Sequence, residues 1–438
     1  MQILELIMTT KRIYEIRDPI HTSILIDSQE RRLIDDLFVQ RLRGIRQLGF
    51  AQYPFPGATH SRFAHSIGVM HLAGNAFDVI FRDWSFSSLE RRSELRSCLR
   101  LAALLHDVGH GPYSHAAEYA MPSVQLLFPE KKERQATHED YTVAILLRNI
   151  RKNLEENFQF QAEHVVGLID CTAPIEDDFF WEKGVDFRPL FSQLISSNLD
   201  VDRLDYLQRD SFFTGVRYGQ VDSSWLVNHL SMVISSDSQA SLALNRRALY
   251  AFDNFLLSRY HMFLMVYFHK RAVAFELMFQ QYMKSEDCEY RIPADLDQYL
   301  YKDDADLNVH LRSSNHPFAR LLISNKPYKV AFERHGSIEE VDLQVREAIL
   351  KEAGIPVLVE SSVGSSFSKL KPGQPPIYVL GSDTEGAEIT ELSSFSVALS
   401  QSKFEACMAR LFVPEEALEK AQKIMKDLSD SEKQPKLL

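Results

Sequence analysis

Cysteine is scarce in this 438-residue chain: Cys98, Cys171, Cys288 and Cys407 are scattered, with no CxxC pair among them. That spacing argues against a disulfide framework or a zinc knuckle and fits a reducing cytoplasm. No apolar run is long enough to span a bilayer, and the opening MQILELIMTTKR is too short and too charged for a signal peptide. Positive charge is also in deficit, with a formal net charge of -11 and a pI near 5.8. An acidic chain is a poor general binder of nucleic acid or anionic membrane, although a local basic pocket for phosphate stays open to it. There is no internal repeat. What is present is an ordinary folded composition, 45% hydrophobic and 25% charged, long enough for one large core and a smaller domain.

The pattern opens with two short strands in RIYEIRDPIHTSILI around the Asp18-Pro19 turn. From Asp27, with Ser28 as N-cap, apolar residues recur at helical spacing through Leu48, and Gly49 stops the run. YPFPGATHS reads as a loop, and a second helix starts near Ser61. Helices are then expected at RSELRSCLRLAALLHD and over 138–152, 190–210, 223–234 and 248–285. Beyond residue 290 the texture changes. Strands are expected at 326–334, 356–361, 375–380, 387–393 and 405–412, helices at 338–352 and 414–427, an exposed loop at 362–375 and a frayed tail.

LLHDVGHGPYSH, residues 104–115, sets His106, Asp107, His110 and His115 directly after an apolar helical run. Buried imidazoles and carboxylates are costly without a partner, and a metal ion is one such partner. At a helix end His106 and Asp107 can converge on one ion, because Gly109, Gly111 and Pro112 take the backbone out of helical geometry. Two further ligands stand out: His65 on the preceding helix and Asp202 in SSNLDVDRLDYLQRD. Two imidazoles and two carboxylates suit Mn²⁺, Fe²⁺, Zn²⁺ or Mg²⁺ and leave positions open for water or phosphate. The doublet alone also reads as a cap or surface pair. Asp200, Asp202, Asp205 and Asp210 likewise read as the solvated face of a helix, and His21 and His60 carry no assigned role.

In order along the chain, IRDPIH, QRLRGIRQLG, FPGATHSRFAHSIGV, LLHDVGHGPYSH, THED, NLDVDRLDYLQRD and RYHMFLMVYFHK resemble the HD-domain phosphohydrolases. The similarity is greatest to the deoxynucleoside triphosphate (dNTP) triphosphohydrolase branch. That branch includes animal enzymes with an added SAM domain, which is not expected here ahead of residue 12, and bacterial homologues without one. The resemblance implies a mainly α fold: a helical HD domain over 1–285, with its motif core at about 55–210 and a small N-terminal β-hairpin, then a C-terminal α+β domain over 286–438 for oligomerisation or regulation. It makes His65, His106, Asp107 and Asp202 the metal ligands. It places His110, His115, Glu118, His138 and Glu139 in the catalytic group. Arg62, Arg203, Tyr206 and Arg259 match phosphate contacts, and Gln47, Leu48, Asp210 and Tyr267 match sugar contacts. His269 stands near the nucleotide as a looser assignment.

The implied reaction is attack at the α-phosphorus of a dNTP, giving deoxynucleoside and intact triphosphate. Arginine suits the polyanionic substrate because its forked donors match phosphate oxygens. A divalent ion would polarise the phosphate, and His115 held by Glu118 would protonate the departing 5′-oxygen while His110 stabilises charge. The last two roles are interchangeable on the sequence. Asp35, Gln40 and Arg43 match a second, activating nucleotide site, although Tyr14 stands where a basic residue is expected. A homodimer or homotetramer is the expected assembly, with no membrane or nucleic-acid partner. Two other readings remain: an HD phosphohydrolase acting on a different nucleotide or phosphoester, and a nucleotide-sensing or nucleic-acid-binding regulator with little turnover.

Overall fold

The computed structural model describes residues 12–336, 340–365, 375–381, 389–395 and 405–433. It is mainly helical, with an N-terminal hairpin and a mixed α+β region toward the C-terminus. Strands β1 (Ile13–Asp18) and β2 (Thr22–Asp27) pair antiparallel from Ile13↔Asp27 to Asp18↔Thr22. Asp18 Oδ1 closes their turn by accepting the Ile20 and His21 N–H groups at 2.9 Å each.

Helix α1 (Ser28–Ile34) is capped by Asp27, one residue before the expected Ser28. The Asp27 carboxylate takes the Gln29 and Glu30 N–H groups, and Glu30 reaches back to Asp27 N, forming a capping box. The single helix expected through Leu48 is broken at Asp35 and Asp36, because Asp36 Oδ1 caps a new helix, α2 (Leu37–Arg41), through Phe38 N–H.

Two helices form the scaffold. In α3 (Arg62–Ile80) apolar and small residues run all round, so it lies in the core rather than on it. In α4 (Leu89–Leu105) the first half is charged and the last, Leu99 to Leu105, is fully buried. Next come α5 (His138–Ile145, continuing through a wide turn into Arg151–Asn157), α6 (Arg188–Ile195) and α7 (Val201–Thr214). The expected helix over 190–210 is therefore two. Buried Asp200 interrupts it by taking the Ser197 and Arg203 N–H groups, both at 2.8 Å.

The helix expected over 223–234 ends early. After α8 (Ser223–Asn228), the β-branched end of the segment pairs as β3 (Leu230–Ile234) with β4 (Ala240–Asn245). The helix expected over 248–285 is α9 (Leu249–Met262), a wide turn at Phe263–Tyr267, and α10 (Lys270–Lys284). Helices α11 (Leu296–Tyr299), α12 (Asp304–Ser313) and α13 (Pro317–Ile323) follow. Their buried residues Leu296, Tyr299, Leu307, Leu311 and Leu322 belong to the main core.

The remaining elements are β5 (Lys329–His335), α14 (Glu340–Glu352), β6 (Leu358–Ser365), β7 (Tyr378–Leu380), β8 (Ile389–Glu391), β9 (Glu405–Val413) and α15 (Leu418–Lys433). β9 lies between β5 and β6, antiparallel to both. This sheet, α14 and α15 enclose a small second core that includes Leu343, Leu350, Leu411 and Met425. β7 instead runs parallel to β4, giving a four-stranded sheet in the order β8-β7-β4-β3. The loop expected at 362–375 begins inside β6, and residues 366–374 lie outside the described residues.

Candidate active site

α3 and α7 bring His65 and Asp202 to the C-terminal end of α4, where His106 and Asp107 stand. His65 Nε2 is 2.9 Å from Asp202 Oδ1 and 3.7 Å from Asp107 Oδ2. His106 Nε2 is 3.5 Å from Asp202 Oδ1 and 3.3 Å from Asp107 Oδ1. The outer nitrogens are engaged: His65 Nδ1 donates to Asp205 Oδ2 and His106 Nδ1 to the Ala103 carbonyl, each at 2.8 Å. Each Nε2 is thereby left with its lone pair toward the common centre. His106 Nε2 is buried and has no hydrogen-bond partner. His65, His106 and Asp202 bring their donor atoms close enough together to hold a divalent metal ion, while Asp107, paired with Arg62, lies beside that group.

The local field agrees. Burial opposes charge on His65, yet its bonds to Asp202 and Asp205 push its pKa up to about 10. Burial likewise opposes ionisation of Asp107 and Asp202, but the neighbouring His106, with Arg62 for the one and His65 for the other, holds both below the usual carboxylate range. A cluster that favours a protonated imidazole so strongly is one that draws a cation. Asp202 retains 31% side-chain exposure, so the centre opens on its side.

A layer of residues without an expected role positions His65. Asp205 is fully buried and accepts Arg209 Nε and Nη2 at 2.8 Å each and His21 Nε2 at 2.6 Å, besides His65. Arg209 in turn bonds Asp18 in the hairpin turn. Gly68 makes this possible, because a Cβ there would sit 2.0 Å from Asp205 Oδ1. Asp200, Asp205 and Asp210 are therefore buried rather than a solvated face. The one sequence sign was the i, i+4 spacing of Asp205 and Arg209, which an exposed pair shares.

Beside His65, His106, Asp107 and Asp202 lies a second group that could hold an ion, His110, His115, Glu118 and His138. His110 Nε2 is 3.4 Å from Asp107 Oδ1, and its ring stacks on His138 at 3.8 Å. Glu118 Oε1 accepts from His115 Nδ1 at 3.0 Å and from His138 Nδ1 at 2.5 Å. Burial resists ionisation of Glu118, but these two bonds bring its pKa down to about 2. Burial, with Arg62 and His138 nearby, holds His110 well below the usual imidazole value. The His115 side chain is 68% exposed. Glu139, one residue beyond His138, is exposed and outside this group.

The turn carrying these histidines is tightly held. A Cβ on Gly109 would meet the His138 carbonyl at 2.2 Å, and the Gly109 N–H donates to Thr142 Oγ1. Tyr113 and Ser114 both adopt left-handed backbone, with φ of 55° and 61°. Each costs roughly 1–2 kcal/mol, so tertiary contacts must hold them. The strained turn aims Ser114 Oγ, which accepts from Arg62 Nε at 2.9 Å and donates to the Arg46 carbonyl at 2.7 Å. Arg62 Nη1 completes the link by pairing with Asp107.

Further along α7, Arg203 Nη1 lies 3.2 Å from Asp200 Oδ2, and the Tyr206 ring meets Tyr267 edge-on at 6.2 Å. Asp210 accepts from His60 Nε2 at 2.8 Å and from the Tyr267 hydroxyl at 2.9 Å. Tyr267 ends the wide turn after α9, a local widening common at functional sites. Arg259 is buried with its guanidinium over Phe263. Gln47 Oε1 is buried without a partner, and Leu48 is half-buried. His269 caps α10 through Arg271 N–H and touches Phe55 edge-on.

Phe63, Ala64 and Ile67 of α3 line a cleft of about 400 Å³ together with Tyr14, Arg17, Arg31, Asp35 and Arg43. Arg43 stacks over Phe63 at 3.6 Å and donates to Gln40 Oε1, whose amide is tied to the Ile34 carbonyl.

Residues 62–210 match the HD domain and residues 221–354 the HD associated region, so the chain carries an HD domain followed by its associated region. It is 34% identical to the uncharacterized protein YwfO of Bacillus subtilis over 260 residues, 58% of this chain and 51% of that one. It is 36% identical to the human deoxynucleoside triphosphate triphosphohydrolase SAMHD1 over 218 residues, 46% of this chain and 33% of that one. The chain spans about half the length of the first curated relatives it matches. Among solved structures, a hypothetical protein from Aquifex aeolicus superposes with a TM-score of 0.73 at 25% identity, covering 94% of this chain and 99% of that one. No helix among the described residues is long and apolar enough to cross a membrane.

Proposed function

We propose that the protein is a metal-dependent dNTP triphosphohydrolase that releases deoxynucleoside and intact triphosphate. The observation that carries this reading is the convergence of His65, His106 and Asp202 beside the His110, His115, Glu118 and His138 group, with Asp107 between the two, 3.3 Å from His106 Nε2 and 3.4 Å from His110 Nε2. Likeness to SAMHD1 supports the choice of substrate. When bound, a divalent ion would polarise the attacked phosphate and favour a hydroxide nucleophile there.

The side chains supply the rest. His115, exposed and held by Glu118, donates a proton to the departing 5′-oxygen. His110, beside Asp107, donates a hydrogen bond to a phosphate oxygen. Arg62, Arg203 and Arg259 clamp phosphate with fixed donors. Gln47, whose Oε1 is buried and unpartnered, has an acceptor to offer a sugar hydroxyl. Asp210 and Tyr267, locked to each other and to His60, form a rigid wall that crowds a ribose 2′-hydroxyl. Glu139 has no step in this scheme.

The cleft lined by Tyr14, Asp35, Arg43 and Phe63 is the proposed site for an activating nucleotide, with Gln40 bracing Arg43. Residues 286–438 are the proposed oligomer-building and regulatory part of a cytoplasmic homodimer or homotetramer. The test is a panel of the four dNTPs and four rNTPs with Mn²⁺ or Mg²⁺, singly and in pairs, with products separated by ion exchange. Deoxynucleoside with intact triphosphate, and no rNTP turnover, is expected. Orthophosphate or pyrophosphate alone would point to another HD phosphohydrolase, and no turnover to a sensor. Stimulation in pairs would mark the activating site.

A further inference from the structure

Asp304, the first residue of α12, is 6% exposed although it does not cap its own helix; Asp303 does that through Asp306 N–H. A buried carboxylate without a local task needs partners from elsewhere. Asp304 Oδ1 accepts the Tyr113 N–H at 2.7 Å, and Oδ2 accepts the Arg46 N–H at 3.0 Å. One carboxylate thus joins two segments: the stretch entering Gln47 and Leu48, and the left-handed turn between His110 and His115.

The same short segment grips that turn at other points. The Tyr299 hydroxyl donates to the Gly109 carbonyl at 2.7 Å. Arg41, buried in α2, donates through Nη1 to the His110 carbonyl at 2.8 Å and through Nε and Nη2 to the Lys302 carbonyl. The His65 and His106 side chains are braced by other groups, Asp205 and the Ala103 carbonyl, while Asp107 is tied through Arg62 to Ser114 of the turn. Residues 299–304 therefore act directly on the histidine turn and reach the candidate metal ligands only through Ser114, Arg62 and Asp107.

We infer that Asp304 is a positioning residue for the reaction: it fixes the strained Tyr113–Ser114 turn against Arg46 and so sets where His110, His115 and the Arg62-bound Ser114 stand relative to the substrate. Its effect on chemistry rests on the roles proposed above for His110 and His115. Displacing a catalytic group by about 1 Å can cost on the order of 100-fold in rate.

The experiment compares wild type with Asp304→Asn, which keeps shape but turns an amide N–H₂ toward a backbone N–H. Three quantities are read on the full chain: metal content, steady-state dNTP kinetics well below the melting temperature, and amide hydrogen exchange. Unchanged metal content, kcat lower by about 10- to 100-fold, KM within about threefold, and faster exchange at 109–115 and 46–48 but not at 62–80 are expected. Unchanged kcat in an active enzyme, or metal loss in step with activity, would overturn the inference. Exchange decides the structural half by itself: if wild type hydrolyses nothing, the functional reading has failed, while unaltered exchange at 109–115 refutes the role of Asp304. Should Asp304→Asn fold poorly, Tyr299→Phe removes only the hydroxyl on Gly109. It is expected to lower kcat by about threefold to tenfold with only a small fall in melting temperature, and an unchanged kcat there would also overturn the inference.

Discussion

At the scale of single residues, the site depends on carboxylates that stand outside the candidate metal-binding group. Asp205 orients His65 while paired to Arg209 and His21, and partners of this kind are typically worth about 10- to 100-fold in metal affinity. Asp205→Asn is therefore expected to weaken metal binding by about that factor in an equilibrium dialysis titration; unchanged affinity would remove Asp205 from the account. Asp140 shows a second use of a carboxylate. It caps α5 in a box with Thr137, beside His138, and is paired with Arg134 and Lys131. Burial resists its ionisation, but those two bonds win and hold it well below its ordinary 3.8. A depressed folded-state value means the stabilisation is full above about pH 4 and is lost as pH falls further. Asp140→Asn should accordingly cost roughly 1–2 kcal/mol at pH 7, discounted because both cations are partly exposed. The gap in stability between variant and wild type should close below about pH 4. A gap independent of pH would contradict the ion-pair explanation. His106 and Asp107 were legible as candidate ligands because they share one motif. Asp205, Ser114 and Asp304 were not, since their partners lie far away in sequence and nothing local distinguishes them from surface polar residues.

At the scale of elements, most helices could be read from apolar spacing, and the errors have a common cause. Asp36 and Asp200 each sit inside a helical pattern and yet cap a new helix, so periodicity that ignores capping runs two helices into one. The stretch over 230–234 misled differently: its short apolar run fits helix or strand equally, and its partner strand β4 decided the matter. The hairpin, by contrast, was plain in both strands and turn. It is fastened to the scaffold by a buried ion pair, Glu30 with Arg100 of α4, at 2.5 and 3.0 Å, and Arg100 also bonds the Leu25 carbonyl of β2. Arg100→Met leaves Glu30 buried and uncompensated, which is expected to cost about 3–5 kcal/mol in urea unfolding. Replacing both, as Glu30→Leu with Arg100→Leu, should recover most of that loss. A double variant as unstable as the single would show that packing, rather than unpaired charge, dominates there.

At the scale of the whole molecule, the mainly helical class followed from the pattern, but the way the C-terminal region joins it did not. β7 pairs parallel with β4 across more than a hundred residues, and α11 to α13 add their apolar faces to the main core. Pairings of such sequence separation leave no local trace. The same long-range closure brings residue 304 to the turn at 113, so the segment matched as the HD associated region bears on the site's geometry. The central claim is that one divalent ion, held by His65, His106, Asp107 and Asp202, drives the hydrolysis. Elemental analysis of purified wild type and Asp202→Ala, beside their dNTP turnover, tests it most directly. One ion per chain in wild type, with both metal and turnover lost in the variant, is predicted; a variant that keeps its metal or its activity would contradict it.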